Sequence, residues 1–248
     1  MTVKIDKLAD QVLEKLRTFF SSISDDSIAV ALSGGLDSSV ILSLSPENCS
    51  SYVTGIAGSK DLDNAKMAAQ LLNRNCKEII VSREDIISYA GTVMEIDPST
   101  DKRDLGFETV LAAVLDNMDE KTLITGQGAD EIFYGYSKFL ADPGISNADA
   151  IEKLHTVTLP RENLIAEHFG KKLICPYLES GIMEISGISQ REYNISGTEN
   201  KLILRQVAAL LGIPSEISQR KKKAAQYGSG FMKVLKKDLF PELRKDRK

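Results

Sequence analysis

Cysteine and histidine are scarce in this sequence: its 248 residues hold three cysteines, Cys49, Cys76 and Cys175, and two histidines, His155 and His168. No two cysteines form a C-x-x-C pair, which argues against a zinc ribbon or a dithiol redox centre and makes these thiols buried or inert residues of a reducing compartment. The histidines are too far apart to make a local metal pair. A basic surplus is also missing. Lys and Arg number 31 against 35 Asp and Glu, for a formal charge of −4, so nucleic acid is not expected as an obligatory partner. The first twenty residues lack an uninterrupted apolar stretch, because Lys4, Asp6, Lys7, Asp10, Glu14, Lys15 and Arg17 interrupt them. That excludes a signal peptide or membrane span there, and a cytoplasmic location with no membrane partner is expected. There is no low-complexity run either. With 42% hydrophobic and 27% charged residues, the composition is that of a globular chain long enough for one large α/β domain, or a core domain with an appended helical lobe.

The periodicity changes along the chain. Ile5, Leu8, Val12, Leu16 and Phe19 recur every three or four residues, which predicts an amphipathic helix over Lys4 to Phe20. Ile28 to Leu32 is a short apolar run of the kind a buried strand shows, followed by a glycine-rich turn and a helix from Ser38 to Leu44. A second strand is predicted over Ser51 to Ile56, a helix over Asp61 to Leu72 with Asp61 as its cap, and a third strand over Glu78 to Val81. Helices are predicted over Arg83 to Ile96 and Leu105 to Met118, then a fourth strand over Thr122 to Thr125. Strands alternating with helices at this spacing imply right-handed βαβ units, so the expected fold class is α/β with a doubly wound parallel sheet and ligands beyond its carboxyl ends. Beyond Tyr136 only Leu173 to Cys175 offers another strand, and helical patterns dominate Asn147 to Phe169 and Thr198 to Leu211. The expected organisation is an N-terminal helix (1–21), a nucleotide-binding core (22–145) and a helical C-terminal lobe (146–248).

Two segments carry the chemistry. Ser33-Gly-Gly-Leu-Asp-Ser-Ser39 lies between a predicted strand and a helix. Gly34 and Gly35 allow close approach of backbone to an anion, the hydroxyls of Ser33, Ser38 and Ser39 can donate to it, and the next helix adds unpaired N–H groups at its positive end. This is a phosphate or pyrophosphate cradle, but not the P-loop of kinases and GTPases, whose lysine and spacing are missing. Thr125-Gly-Gln-Gly-Ala-Asp-Glu-Ile-Phe-Tyr-Gly-Tyr136 begins where the fourth strand ends. It fails as a dinucleotide fingerprint because Glu131 replaces the third glycine. Asp130 and Glu131 place carboxylates beside the expected phosphates, where each like-charge approach near 4 Å costs about 4 kcal/mol at an effective dielectric of about 20. A cation reconciles them, so Mg²⁺ bridging Asp37, Asp130 and pyrophosphate is expected.

These motifs resemble those of the N-type ATP pyrophosphatases and, within them, of the asparagine synthetases, whose signature G-x-G-(S/A)-D-E-x-F-x-G-Y is matched at nearly every fixed position. The resemblance spans about Ile28 to Gly230. It implies an adenine nucleotide alpha-hydrolase-like sheet, cleavage of ATP between its α and β phosphates, and Mg²⁺ held by Asp37. It also implies a base pocket lined by Leu32, Thr54 and Ile56, with Gly126 near the ribose or acyl group. Arg161 and Asn163, Pro176-Tyr-Leu-Glu179, and Lys201 with Leu204 and Arg205 are similar to further family segments. In Arg220-Lys-Lys222 the family's R-x-K pattern assigns Lys222 to stabilising charge during amide formation. Without a family, that basic run reads as a solvated face.

The sequence departs from the family at three places. Met1 and Thr2 lead almost directly into the synthetase region, so nitrogen is expected from ammonia, an amine or a separate glutaminase subunit. Gln127 stands where asparagine synthetases have glutamate, and a neutral amide can orient an acyl group but cannot act as a base. Asp104 and Glu108 replace a small, hydroxyl-rich stretch, disfavouring a dicarboxylate acceptor and suiting one that bears an amine. The expected activity is an ATP-dependent amide-forming ligase with aspartate as the default acceptor. Another adenylating ligase of the superfamily and a non-catalytic nucleotide-binding subunit stay open as alternatives.

Overall fold

β1 (Ile28–Ala31) is central because its residues are apolar on both faces: Ile28 and Val30 join one hydrophobic cluster, and Ala29 and Ala31 the other. The computed structural model describes residues 2–23, 27–220 and 224–240. β2 (Ser50–Gly55) and β4 (Thr122–Ile124) flank β1, while β3 (Lys77–Ile80) and β5 (Lys172–Ile174) form the edges. All four pairings are parallel, in the order β3-β2-β1-β4-β5. The expected doubly wound sheet is therefore present, with one more strand than the four read firmly from the sequence. β5 lies within the span assigned to the C-terminal lobe, yet it pairs with β4, so the sheet draws on both halves of the chain.

α1 (Thr2–Ser22) buries Leu8, Val12, Leu16 and Phe20 against the helix Leu202–Leu210 and α2 (Leu36–Leu44). α3 (Lys60–Leu71) adds Leu62, Ala65, Ala68 and Ala69 to the same layer. On the opposite face α4 (Arg83–Ile96), α5 (Lys102–Asn117), the helix Leu159–His168 and the helix Phe231–Asp238 pack together. α4 starts with a reciprocal capping box between Ser82 and Asp85.

Three helical expectations are corrected. The N-cap position of α3 is Ser59, whose side chain makes no capping hydrogen bond, and not Asp61; the helix begins one residue earlier, which leaves Asp61 buried in its first turn. The pattern from Asn147 to Phe169 is interrupted by a π turn, Leu154–Thr158. Pro160 lies just after it and has no N–H to continue the α-helical ladder, and the N–H of Leu159 reaches back to the carbonyl of Leu154. The pattern from Thr198 becomes helical only at Leu202, because Lys201 adopts the left-handed conformation with φ of 56°. Among the described residues no helix is long and apolar enough to cross a membrane.

Candidate functional site

The order in which strands are added reverses between β1 and β4, since the chain leaves β1 toward β2 and leaves β4 toward β5. A crevice forms at the carboxyl ends of such neighbours, and both motifs emerge there. A cavity of about 750 Å³ runs along it, lined by Leu32, Ser33, Asp37, Ser38, Thr54, Gly126, Gln127 and Asp130 among others.

The first motif folds tightly on itself. The backbone N–H of Ser33 donates to Ser38 Oγ at 3.2 Å, and the two hydroxyls lie 3.1 Å apart. α2 begins directly after Gly35, so the positive end of its dipole lies at the crevice. Gly34 takes φ of +67°, and a Cβ there would collide with the backbone of Asn64 in α3. Its smallness thus seats the loop on α3, a role separate from anion approach. Ser39 is fully buried with its hydroxyl unpartnered, away from the cavity wall. Thr54 donates its hydroxyl to the carbonyl of Ile79 at 3.0 Å and still reaches the cavity. Ile56 does not line the cavity. Its N–H donates to the carbonyl of Ser229, and its side chain lies under Gly230.

The second motif meets the first at close range. A Cβ on Gly126 would stand 3.1 Å from Asp37 Cβ. Lys201 Nζ sits 2.6 Å from Asp37 Oδ1 and 2.6 Å from Asp130 Oδ1. The two carboxylates predicted to share Mg²⁺ therefore converge on one point, occupied by an ammonium group. Gly135 makes this packing possible: a Cβ there would strike both Asp130 Oδ1 and Lys201 Cε. Tyr177, fully buried, donates its hydroxyl to the carbonyl of Asp37 at 3.0 Å and fixes the turn from below. Among the described residues no cluster of three or more His, Cys, Asp or Glu side chains could hold a metal by itself.

At the other end of the cavity α5 presents Asp104 and Glu108, one helical turn apart, on one face. Arg161 is 4% exposed; its Nε donates to Asp97 at 2.6 Å and its Nη1 to Asp104 at 3.2 Å. Serine and arginine donors pull the Asp97 carboxyl down to about 2. Burial pushes the Glu108 carboxyl up to about 8, against the lowering effect of Arg161. Gln127 Nε2 donates to Glu162 Oε1 at 2.9 Å. Burial raises the Glu162 carboxyl well above its ordinary value, and the charges of Glu108 and Glu131 raise it further. Tyr136 donates its hydroxyl to Glu131.

Lys222, assigned by resemblance, lies outside the described residues. Its neighbours are placed. Arg220 donates from Nη2 to the carbonyl of Ser33 at 3.2 Å, and Ala224, Ala225 and Gln226 line the cavity. Arg205 holds the preceding turn by donating to the carbonyl of Ser218.

Sequence reasoning missed the bridging position of Lys201 and the contact between Glu162 and Gln127. For Glu162 a signal exists: Arg161 and Glu162 occupy the same buried helical phase as Ile165 and Ala166, where charged residues are out of place unless paired.

The family model described as asparagine synthase matches residues 21–151 and 148–246. The putative asparagine synthetase [glutamine-hydrolyzing] 1 of Methanocaldococcus jannaschii is 30% identical over 93% of this chain and 50% of its own length. The asparagine synthetase [glutamine-hydrolyzing] of Sandersonia aurantiaca is 25% identical over 90% of this chain and 46% of its own. The chain thus spans about half the length of the curated relatives it matches. Among solved structures, NMN synthetase from Francisella tularensis covers 90% of this chain and 76% of its own at a TM-score of 0.45 and 13% identity.

Proposed function

Because the chain belongs to the asparagine synthase family, we propose that it is an ATP-dependent amide-forming ligase that adenylates a carboxylate and releases AMP and pyrophosphate. The observation that carries this reading is the convergence of Asp37 and Asp130 on one point beside the positive end of α2.

In this reading Ser33, Gly34, Gly35 and Ser38 form the turn that holds the β and γ phosphates, with Ser39 buried behind it and out of reach, Leu32 and Thr54 beside the base and Gly126 near the ribose. Ile56 supports the segment around Gly230 and stays out of the nucleotide wall. Mg²⁺ fits the donor set, because it is commonly held by one or two carboxylates with phosphate and water oxygens completing six ligands. It supplies charge neutralisation on the departing pyrophosphate. Lys201, with three N–H donors and two aspartates in contact, balances the carboxylates until the nucleotide enters and then has donors for phosphate oxygens.

Gln127 orients the acyl group, since its amide is fixed by Glu162 and has no useful basicity. Lys222 steadies the charge that develops when nitrogen attacks the acyl adenylate. Support comes from both sides of it in sequence, where Arg220 touches the cradle and Ala224 the cavity. The nitrogen that attacks the acyl adenylate arrives as ammonia or an amine.

The test is the fate of ATP. Carboxylate-dependent exchange of labelled pyrophosphate into ATP, and AMP as the nucleotide product, are expected. ADP as the main product would sink the assignment.

A further inference from the structure

The inner end of the cavity gathers carboxylates. Among the described residues Asp104, Glu108 and Glu131 line it, with Asp97 and Glu162 behind them around Arg161, and Arg103, Lys138 and Lys153 are the basic side chains of the lining. Arg161 and Lys153 are already committed. Arg161 spends its hydrogen bonds on Asp97 and Asp104, and Lys153 Nζ lies 3.0 Å from Asp104 and 3.9 Å from Asp101. Glu131 accepts from Tyr136, and Glu162 from Gln127.

Glu108 is the exception. It is 1% exposed and lines the cavity, yet neither of its oxygens has a hydrogen-bond partner. Its nearest cation is Arg161 Nη1 at 3.6 Å, too long for a hydrogen bond. A buried carboxylate left in this state carries a large desolvation cost unless something brings donors to it. The cavity it faces continues to Gln127 and the cradle, so whatever fills that space also reaches the activating site. A second carboxylate on the acceptor would meet Glu131 as a like charge and bring Glu108 no donor, whereas an ammonium or guanidinium would supply the missing donors and draw the Glu108 carboxyl into its ionised form.

We propose that the acceptor is a monocarboxylic acid carrying a cationic amine or guanidinium, and that Glu108, with Glu131 beside it, recognises that cation. The inference rests on the adenylation reading above and narrows its substrate class away from a dicarboxylate. Glu108 is the discriminating residue because, of these five carboxylates, it is the one with neither oxygen hydrogen-bonded. Gln127, tied through its amide nitrogen to Glu162, offers its amide oxygen as a further acceptor at the wall.

The experiment measures pyrophosphate exchange with matched acids: valerate, δ-aminovalerate, glutarate and aspartate, extended to shorter and longer ω-amino and ω-guanidino acids. A cationic acid is expected to exceed its uncharged and dicarboxylic counterparts by at least about tenfold in kcat/KM, the scale of a buried charge pair. Glu108→Gln, nearly isosteric, should erase that preference while leaving the KM for ATP unchanged. Aspartate or glutarate as the preferred acid overturns the inference and leaves adenylation standing. Retention of the cation preference in Glu108→Gln overturns the role of Glu108. Binding of Mg-ATP without exchange for any acid overturns the adenylation reading, and the inference falls with it.

Discussion

Glu108 shows at the scale of a single residue how function and stability oppose each other. Its carboxyl, ordinarily near 4.5, is raised to about 8 by burial in the folded chain. Between those values the unfolded chain has released its proton while the folded chain keeps it, so the native state binds more protons and loses stability as pH rises. The contribution is fully present below about 4.5 and gone above about 8. Glu108→Gln removes this titration. It should leave unfolding free energy near the native value at about pH 5 and exceed it at about pH 8, read from urea transitions at both pH values. A constant difference between the two proteins would show that the carboxyl titrates normally. The sequence discloses Glu108 as a departure from its family, and Asp37 and Asp130 as a pair. It does not disclose that Lys201 Nζ lies between them, because that contact spans 164 positions and depends on a left-handed residue at a helix start. Sequence spacing carries no information about such a meeting until the fold is known.

At the scale of elements, the glycines of the first motif have different duties although they read alike. Gly34 combines φ of +67° with a backbone contact to α3, whereas a Cβ on Gly35 would find nothing closer than Ser33 Oγ at 3.4 Å. Gly34→Ala should therefore cost roughly 2 kcal/mol or more, through strain in the left-handed region and displacement of α3. Gly35→Ala should cost less than about 1 kcal/mol and act mainly on nucleotide affinity, through the loss of close anion approach. Thermal unfolding and ATP titration of the two variants separate these effects, and equal destabilisation would refute the division. Periodicity makes β1, β2, α1 and α4 legible to within a residue or two, since each buries a regular stripe or run. It is weaker for β5, a short edge strand with one exposed and two partly buried residues and no continuous apolar run. It also misses the π turn at Leu154–Thr158, because Pro160 interrupts the ladder without interrupting the apolar pattern.

The site belongs to the whole molecule, since its walls run in sequence from Ala31 to Gln226 and draw on helices from both layers of the sheet. A ligand held by parts so distant in sequence stabilises the fold as a unit, by about 2.7 kcal/mol at a hundredfold excess over Kd. For a chain of this length that corresponds to a rise in Tm of roughly 5–10 °C. The charge balance decides which ligand achieves it. Asp37 and Asp130 converge on Lys201, and each polyphosphate charge brought within about 4 Å of a carboxylate costs about 4 kcal/mol at an effective dielectric of about 20. Mg-ATP should therefore raise Tm by several degrees, and ATP with EDTA by clearly less. Asp130→Asn removes one carboxylate from the repulsion and one oxygen from the cation. Its shift with ATP alone should rise and its shift with Mg-ATP should fall, so that the two conditions draw together. Equal shifts for ATP and Mg-ATP in the unaltered protein would mean that Asp37 and Asp130 do not hold the cation.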